Sequence, residues 1–80
     1  MIKLLLIFLL MTTLLFSAVN VNRASSAQLQ TLNGIGPAKA QEIIKYRKSH
    51  GGFKTIDELV NVKGIGPKTL LKMKQQVAIH

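Results

Sequence analysis

Eighty residues with a formal net charge of +8, no cysteine and only three carboxylates make one small domain at most. The composition excludes a disulfide framework, thiol catalysis and cysteine metal sites. Glu42, Asp57, Glu58, His50 and His80 supply no acid–base pair, two-metal cluster or metal-ligand spacing, so no catalytic residue and no metal site is expected. The surplus of lysine and arginine points to an anionic partner: nucleic acid, anionic lipid or an acidic protein.

The chain opens with Met1-Ile2-Lys3, an apolar run from Leu4 to Met11, then Leu14-Leu15-Phe16 and the small residues Ser17 and Ala18. A short positive start, an apolar stretch and small residues form the pattern of a secretory signal. Thr12-Thr13 interrupts the run, which falls short of the roughly 20 apolar residues of a spanning helix. Phe16, however, occupies the position that normally holds a small residue before a cut after Ala18. Residues 1–18 therefore read as a signal peptide or, alternatively, a retained anchor, and residues 19–80 as the domain. Without Lys3 the domain keeps ten basic residues against three acidic ones, about +7.

Val19 to Arg23 has no clear period and reads as an extended lead-in. Ser25 with Gln28 predicts a capping box opening a helix that buries Leu29 and Leu32 and stops at Asn33-Gly34. Pro37 starts a second helix with Ala40, Ile43 and Ile44 on one face and Lys39, Lys45, Arg47 and Lys48 largely outside it, ended by Gly51-Gly52. Phe53 is placed to plug the joint between two halves. Thr55 with Glu58 predicts another capping box, with Ile56, Leu59 and Val62 apolar. Pro67 opens the last helix, with Leu70, Met73 and Val77 on one face and Lys68, Lys72 and Lys74 over the rest. No segment alternates as a strand. Tyr46 reads as a packing residue beside Ile43 and Ile44, and His50 as a helix end.

Gly34-Ile35-Gly36-Pro37 recurs 30 positions later as Gly64-Ile65-Gly66-Pro67. At that offset Leu32 matches Val62, Asn33 matches Lys63, Ala40 matches Leu70 and Ile43 matches Met73. Two such units expose apolar faces that cover each other, which predicts a pseudo-two-fold pair. Each repeat reads as a tight hairpin: the glycines free the backbone and bare its amides, the isoleucine anchors the turn in a core, and the proline opens a helix. Bare amides at a helix start suit phosphate, and two such sites suit a polymer of phosphates. Gly34, Gly36, Gly64 and Gly66 are the candidate cradles, with Ile35 and Ile65 fixing the loops. Lys39, Lys63 and Lys68 stand where they can add charge, and the remaining lysines read first as a solvated face.

Leu-x-Gly-Ile-Gly followed by a helix resembles the helix-hairpin-helix motif, and two copies resemble the tandem domain of many DNA repair and recombination proteins. Val21-Asn22-Arg23-Ala24-Ser25, the stretch from Leu32 to Ala40, Ile43-Ile44-Lys45-Tyr46-Arg47, Gly52-Phe53-Lys54 and the stretch from Leu59 to Lys68 further resemble the ComEA-like competence proteins, over essentially all of residues 19–79. The resemblance implies an all-α tandem domain that binds double-stranded DNA without sequence preference through the phosphate backbone flanking one minor groove. It implies export to the periplasm, or an anchored protein facing out of the cytoplasm, in DNA uptake during natural transformation. Competence pilus or outer-membrane secretin components are the further partners of that setting, and some family members hold a monovalent cation at the hairpin carbonyls. No other cofactor and no small-molecule substrate is expected. Asn33 departs from the proline the family often has before the first glycine. A competing reading is an extracytoplasmic structural or protein-docking module, as in an extrinsic subunit of photosystem II; a small nuclease is disfavoured because no hydrolytic apparatus is visible.

Overall fold

A computed structural model describes residues 18–79. The signal-peptide expectation falls, apart from Ala18, outside the described residues, as does His80. The order is β1 (Val19–Asn20), α1 (Ser26–Leu29), α2 (Pro37–His50), a 3₁₀ helix (Ile56–Asn61), α3 (Pro67–Met73), a 3₁₀ turn (Lys74–Gln76) and β2 (Val77–Ala78).

Helices dominate as expected, and the repeat organises them. Leu29 and Leu59, Leu32 and Val62, Ile35 and Ile65, Ala40 and Leu70, and Ile43 and Met73 are five pairs at the 30-residue offset. All ten side chains are buried in one core. Equivalent hydrogen bonds close both halves: Leu32 N to Leu29 O and Val62 N to Leu59 O, each 3.1 Å, then Ala40 N to Gly36 O and Leu70 N to Gly66 O, each 3.0 Å. Fully burying one such Leu or Ile contributes about 1.5–3 kcal/mol, so a domain this small depends on both halves of every pair.

Three expectations are corrected. The opening helix is a single α-turn: Ser25 and Gln28 form the capping box, but beyond Leu29 the bonds shift to i→i+3 spacing, as Thr31 N to Gln28 O shows, and the turn tightens into the hairpin. The helix after Thr55 is 3₁₀, and its box is half made. Thr55 Oγ1 accepts from Glu58 N, whereas Glu58 Oε1 accepts from the Lys54 amide at 3.0 Å. Finally, Val77 leaves the helical face and lies in β2, which pairs in parallel with β1 through Val19 opposite Val77 and Asn20 opposite Ala78. Of the expected extended lead-in only Val19–Asn20 is a strand, and Val21, Asn22 and Arg23 form a turn. Two residues per strand are too short to show alternation, so the ribbon had no sequence signal.

Polar ties hold the segments between the helices. Asn22 Nδ2 donates to Phe53 O at 3.0 Å and Asn22 Oδ1 accepts from Phe53 N at 2.6 Å, pinning the loop between repeats to the lead-in. Phe53 is buried, as expected of a plug, and stacks on Tyr46 with ring centroids 4.9 Å apart. Tyr46 also stacks on His50 and donates its hydroxyl to Glu58 Oε2 at 2.9 Å. Arg47 does not simply face solvent: its Nη1 donates to Val21 O at 3.0 Å and Ala24 O at 2.7 Å.

Hydrogen bonds from a charged donor contribute about 1.5–3 kcal/mol. Arg47→Ala is expected to cost about 2 kcal/mol, which in a domain of this size lowers Tm by roughly 10 °C, read by circular dichroism. An unchanged Tm would show that the two carbonyls are satisfied equally well by water. Glu58 titrates below its ordinary value of 4.5, because the Lys54 amide and then the Tyr46 hydroxyl bond the charged form. With the folded value lower than the unfolded one, its contribution is complete above pH 4.5 and disappears as pH falls through the folded value. Stability measured against pH should therefore fall less steeply on the acid side in Glu58→Gln than in the wild type.

Candidate functional site

Leu32-Asn33-Gly34-Ile35 and Val62-Lys63-Gly64-Ile65 are two four-residue turns of one design. The fourth amide bonds the first carbonyl, Ile35 N to Leu32 O at 3.1 Å and Ile65 N to Val62 O at 3.0 Å. The third residue is glycine with φ of +83° or +91°, the pattern of a type II turn. Asn33 and Lys63 occupy the second position, where proline is common. Neither has a positive φ, so Asn33 needs no unusual backbone angle. Ile35 and Ile65 are 5% and 3% exposed and fix the loops from inside; their amides are spent on the turn bonds, so, against the expectation that they belong to the ligand contact, they offer an anion no donor.

The second glycine of each repeat is of a different kind. Gly36 and Gly66 are extended, with φ of −95° and −100°, and they N-cap α2 and α3 without a side-chain cap. A β-carbon on either would meet nothing within 4 Å. Among the described residues, nothing accepts from the amides of Gly34, Gly36, Gly64 or Gly66. Each hairpin therefore presents bare N–H groups, with open space at Gly36 and Gly66, an arrangement suited to anionic oxygens. At the first hairpin the dipole of the 14-residue α2 adds to this.

Each hairpin also packs on the other repeat's second helix. A β-carbon on Gly34 would lie 3.4 Å from Cγ2 of Thr69 and 3.9 Å from Cδ of Lys72, and one on Gly64 would lie 3.5 Å from Cγ and 3.8 Å from Cε of Lys39. Thr69 and Lys39 are equivalent at the 30-residue offset, so the crossing follows the pseudo-symmetry. The lysines do not: Lys39, Lys63, Lys68 and Lys72 correspond to Thr69, Asn33, Ala38 and Glu42.

Lys63 and Lys68 are exposed as expected. Lys63 shares a shallow groove with Lys45, Glu42 and Tyr46. Lys39 is half-buried, its stem against Gly64 and its Nζ 3.3 Å from Gly34 O, so it braces the two hairpins before it meets anything else. That ammonium leaves the Gly34 carbonyl unsuited to a bound monovalent cation. The lysine that sequence reasoning passed over is Lys72, whose proximity to Gly34 arises only from the crossing of the halves. Lys74 is spoken for by Asp57 at 3.0 Å, the one ion pair among the described residues.

The model of the helix-hairpin-helix motif family matches residues 16–78. The chain is 43% identical over 61 residues to ComE operon protein 1 of Bacillus subtilis, covering 76% of this chain and 30% of that protein. It is 40% identical over 60 residues to an uncharacterized protein of Haemophilus influenzae, covering 74% and 54%. It is 36% identical over 61 residues to endonuclease/exonuclease/phosphatase family domain-containing protein 1 of Homo sapiens, covering 76% of this chain but 11% of that protein. The chain thus spans between a tenth and about half of the length of these relatives.

The two kinds of glycine separate experimentally. Gly34→Ala and Gly64→Ala place a β-carbon at positive φ and are expected to cost about 1–2 kcal/mol each. Gly36→Ala and Gly66→Ala, with extended backbone and open space, should stay within about 0.5 kcal/mol of wild type. Urea denaturation reads all four, and equal losses at all four would contradict this division.

Proposed function

This chain belongs to the helix-hairpin-helix family as a ComEA-like member, and on that premise we propose that it binds double-stranded DNA without sequence preference, gripping phosphates with both hairpins. The observation that carries the reading is the pair of matched turns with four bare glycine amides, Gly34 and Gly36 in one and Gly64 and Gly66 in the other, in a chain of net charge +8. Two cradles related by a pseudo-two-fold axis match the local symmetry of two strands flanking a minor groove. Backbone amides and lysines reach phosphate oxygens but read no base, so contacts of this kind position the protein on any sequence. Lys63 and Lys68, exposed and outside the Lys74–Asp57 ion pair, are direct phosphate ligands in this reading; Lys39 acts as brace and near-neighbour charge. The role calls for no catalytic group.

The biological setting is DNA uptake in natural transformation, with the domain working outside the cytoplasm and meeting DNA as it enters. The opening stretch of 14 apolar residues in the first 18 supports export. A cut after Ala18 would leave the parallel ribbon whole, since Val19 is its first paired residue. Binding that retains incoming duplex biases its diffusion inward, and pilus or secretin components are the neighbours such a role requires. A protein-docking function is the alternative, favoured by Leu71, which is 75% exposed. A gel-shift with random-sequence duplex distinguishes the two, because a docking module has no reason to retain it.

Counterion release gives a slope of about −0.9 in log K against log salt for each neutralised phosphate. With four to six contacts, wild-type affinity should fall steeply with salt, roughly as the fourth to fifth power. Lys63→Glu with Lys68→Glu should abolish the shift while leaving the fold intact. Gly36→Ala with Gly66→Ala should weaken it without loss of stability, because the added methyl groups screen the amides. Salt-independent binding, or full binding by both double variants, would rule out the hairpin mechanism.

A further inference from the structure

The two hairpins are equal in backbone and unequal in charge. The second carries Lys63 within its turn and Lys68 just beyond it, where the first has Asn33 and Ala38. On its own residues the first hairpin would be a cradle supplied only with the half-buried, already engaged Lys39. Asn33 does something else with its side chain: Nδ2 donates to the carbonyl of Lys72 at 3.3 Å, and its backbone amide donates to Gln76 Oε1 at 2.9 Å. Both bonds tie the first turn to the end of α3 and the residues after it. Lys72 is thereby held with its stem beside Gly34, Cδ 3.9 Å from where a β-carbon would stand. It is exposed and makes no ion pair among the described residues.

We infer that Lys72 is the phosphate ligand of the first hairpin, supplied from the second repeat, and that Asn33 is the positioning residue that brings it there. The inference rests on the proposed DNA-binding function. The first turn has Asn33 where its twin has Lys63, and the charge reaches it from across the interface instead. Each hairpin then has a lysine of the other repeat's second helix against its glycine, Lys72 at Gly34 and Lys39 at Gly64. One donates its charge outward and the other is committed to a carbonyl.

The test uses the domain with random-sequence duplex, titrated at several salt concentrations. Lys72→Gln should lower the salt slope by about 0.9, which at 0.1 M salt is roughly an eightfold loss of affinity. Lys48→Gln is the control: it lies nine residues from Lys39 on α2, two and a half turns away and so on the opposite face, and should change affinity by less than twofold. The decisive variant adds Asn33→Lys to Lys72→Gln, putting at the first turn the residue that the second turn carries. Affinity and slope should return to wild-type levels, which a merely structural role for Lys72 would not allow. Thermal melting should be alike in Lys72→Gln and wild type.

Lys72→Gln binding within twofold of wild type, losing no more than Lys48→Gln, or not rescued by Asn33→Lys overturns the inference. In those cases loss of binding in Lys63→Glu with Lys68→Glu leaves the DNA-binding reading standing. A wild-type protein that does not shift duplex at all overturns both.

Discussion

The domain depends on two turns that each need a residue at positive φ. With Gly34 at +83° and Gly64 at +91°, the chain reverses within four residues and drives the following isoleucine into the core, where Ile35 and Ile65 are nearly inaccessible. An ordinary L-residue there carries a backbone cost of about 1–2 kcal/mol. The same glycine meets a second demand. Its bare Cα is the surface on which the other repeat's second helix rests, with Thr69 and Lys39 within van der Waals reach of any β-carbon. Conformation and inter-repeat packing therefore converge on one position. The neighbouring Gly36 and Gly66, with extended backbone and empty space around them, open α2 and α3 as N-caps and leave the outside of each hairpin open to approach.

Symmetry extends through the hairpins and the paired core positions and stops at the charges. Five apolar pairs at one offset are buried on both sides, since each unit's core face is defined by the other. None of the four lysines around the hairpins has a lysine at its equivalent position. This division follows from what each layer must satisfy. A core pair that lost its match would leave a cavity at a cost of about 2–5 kcal/mol, whereas a phosphate can be neutralised from any point on the surface that a flexible lysine reaches. In the proposed role, repeat identity is needed where shape is read and dispensable where only charge is.

Much of the fold was legible because its signals are local or periodic: the proline after the hairpin, the capping box at Ser25, the apolar spacing and the repeat itself. The hairpin glycines and inward isoleucines were legible for the same reason. What escaped depends on contacts between residues far apart in sequence. Arg47 looked like one more solvated cation, yet its guanidinium holds two carbonyls 23 and 26 positions upstream. Glu58 resembled a capping-box acid but bonds Lys54 and Tyr46 instead. The ribbon of β1 and β2 joins residues 58 positions apart. Lys72 was passed over because its distance from Gly34 along the chain conceals a contact made only when the halves cross.

The lead-in to each repeat helps hold the two hairpins as a unit. Asn22 and Phe53 precede their repeats by nearly the same distance, since Ser25 and Thr55 cap the corresponding helices, and they bond each other in both directions. The hairpins likewise lean on each other's second helices, and Lys39 joins the two turns directly through its stem and ammonium. Neither half can open without uncovering the apolar face of the other and breaking ties on both sides, so the repeats unfold together. The separation of the two hairpins is then a property of the folded core. For a ligand whose phosphates are spaced by its own covalent geometry, that rigidity means the second contact costs little further ordering once the first is made.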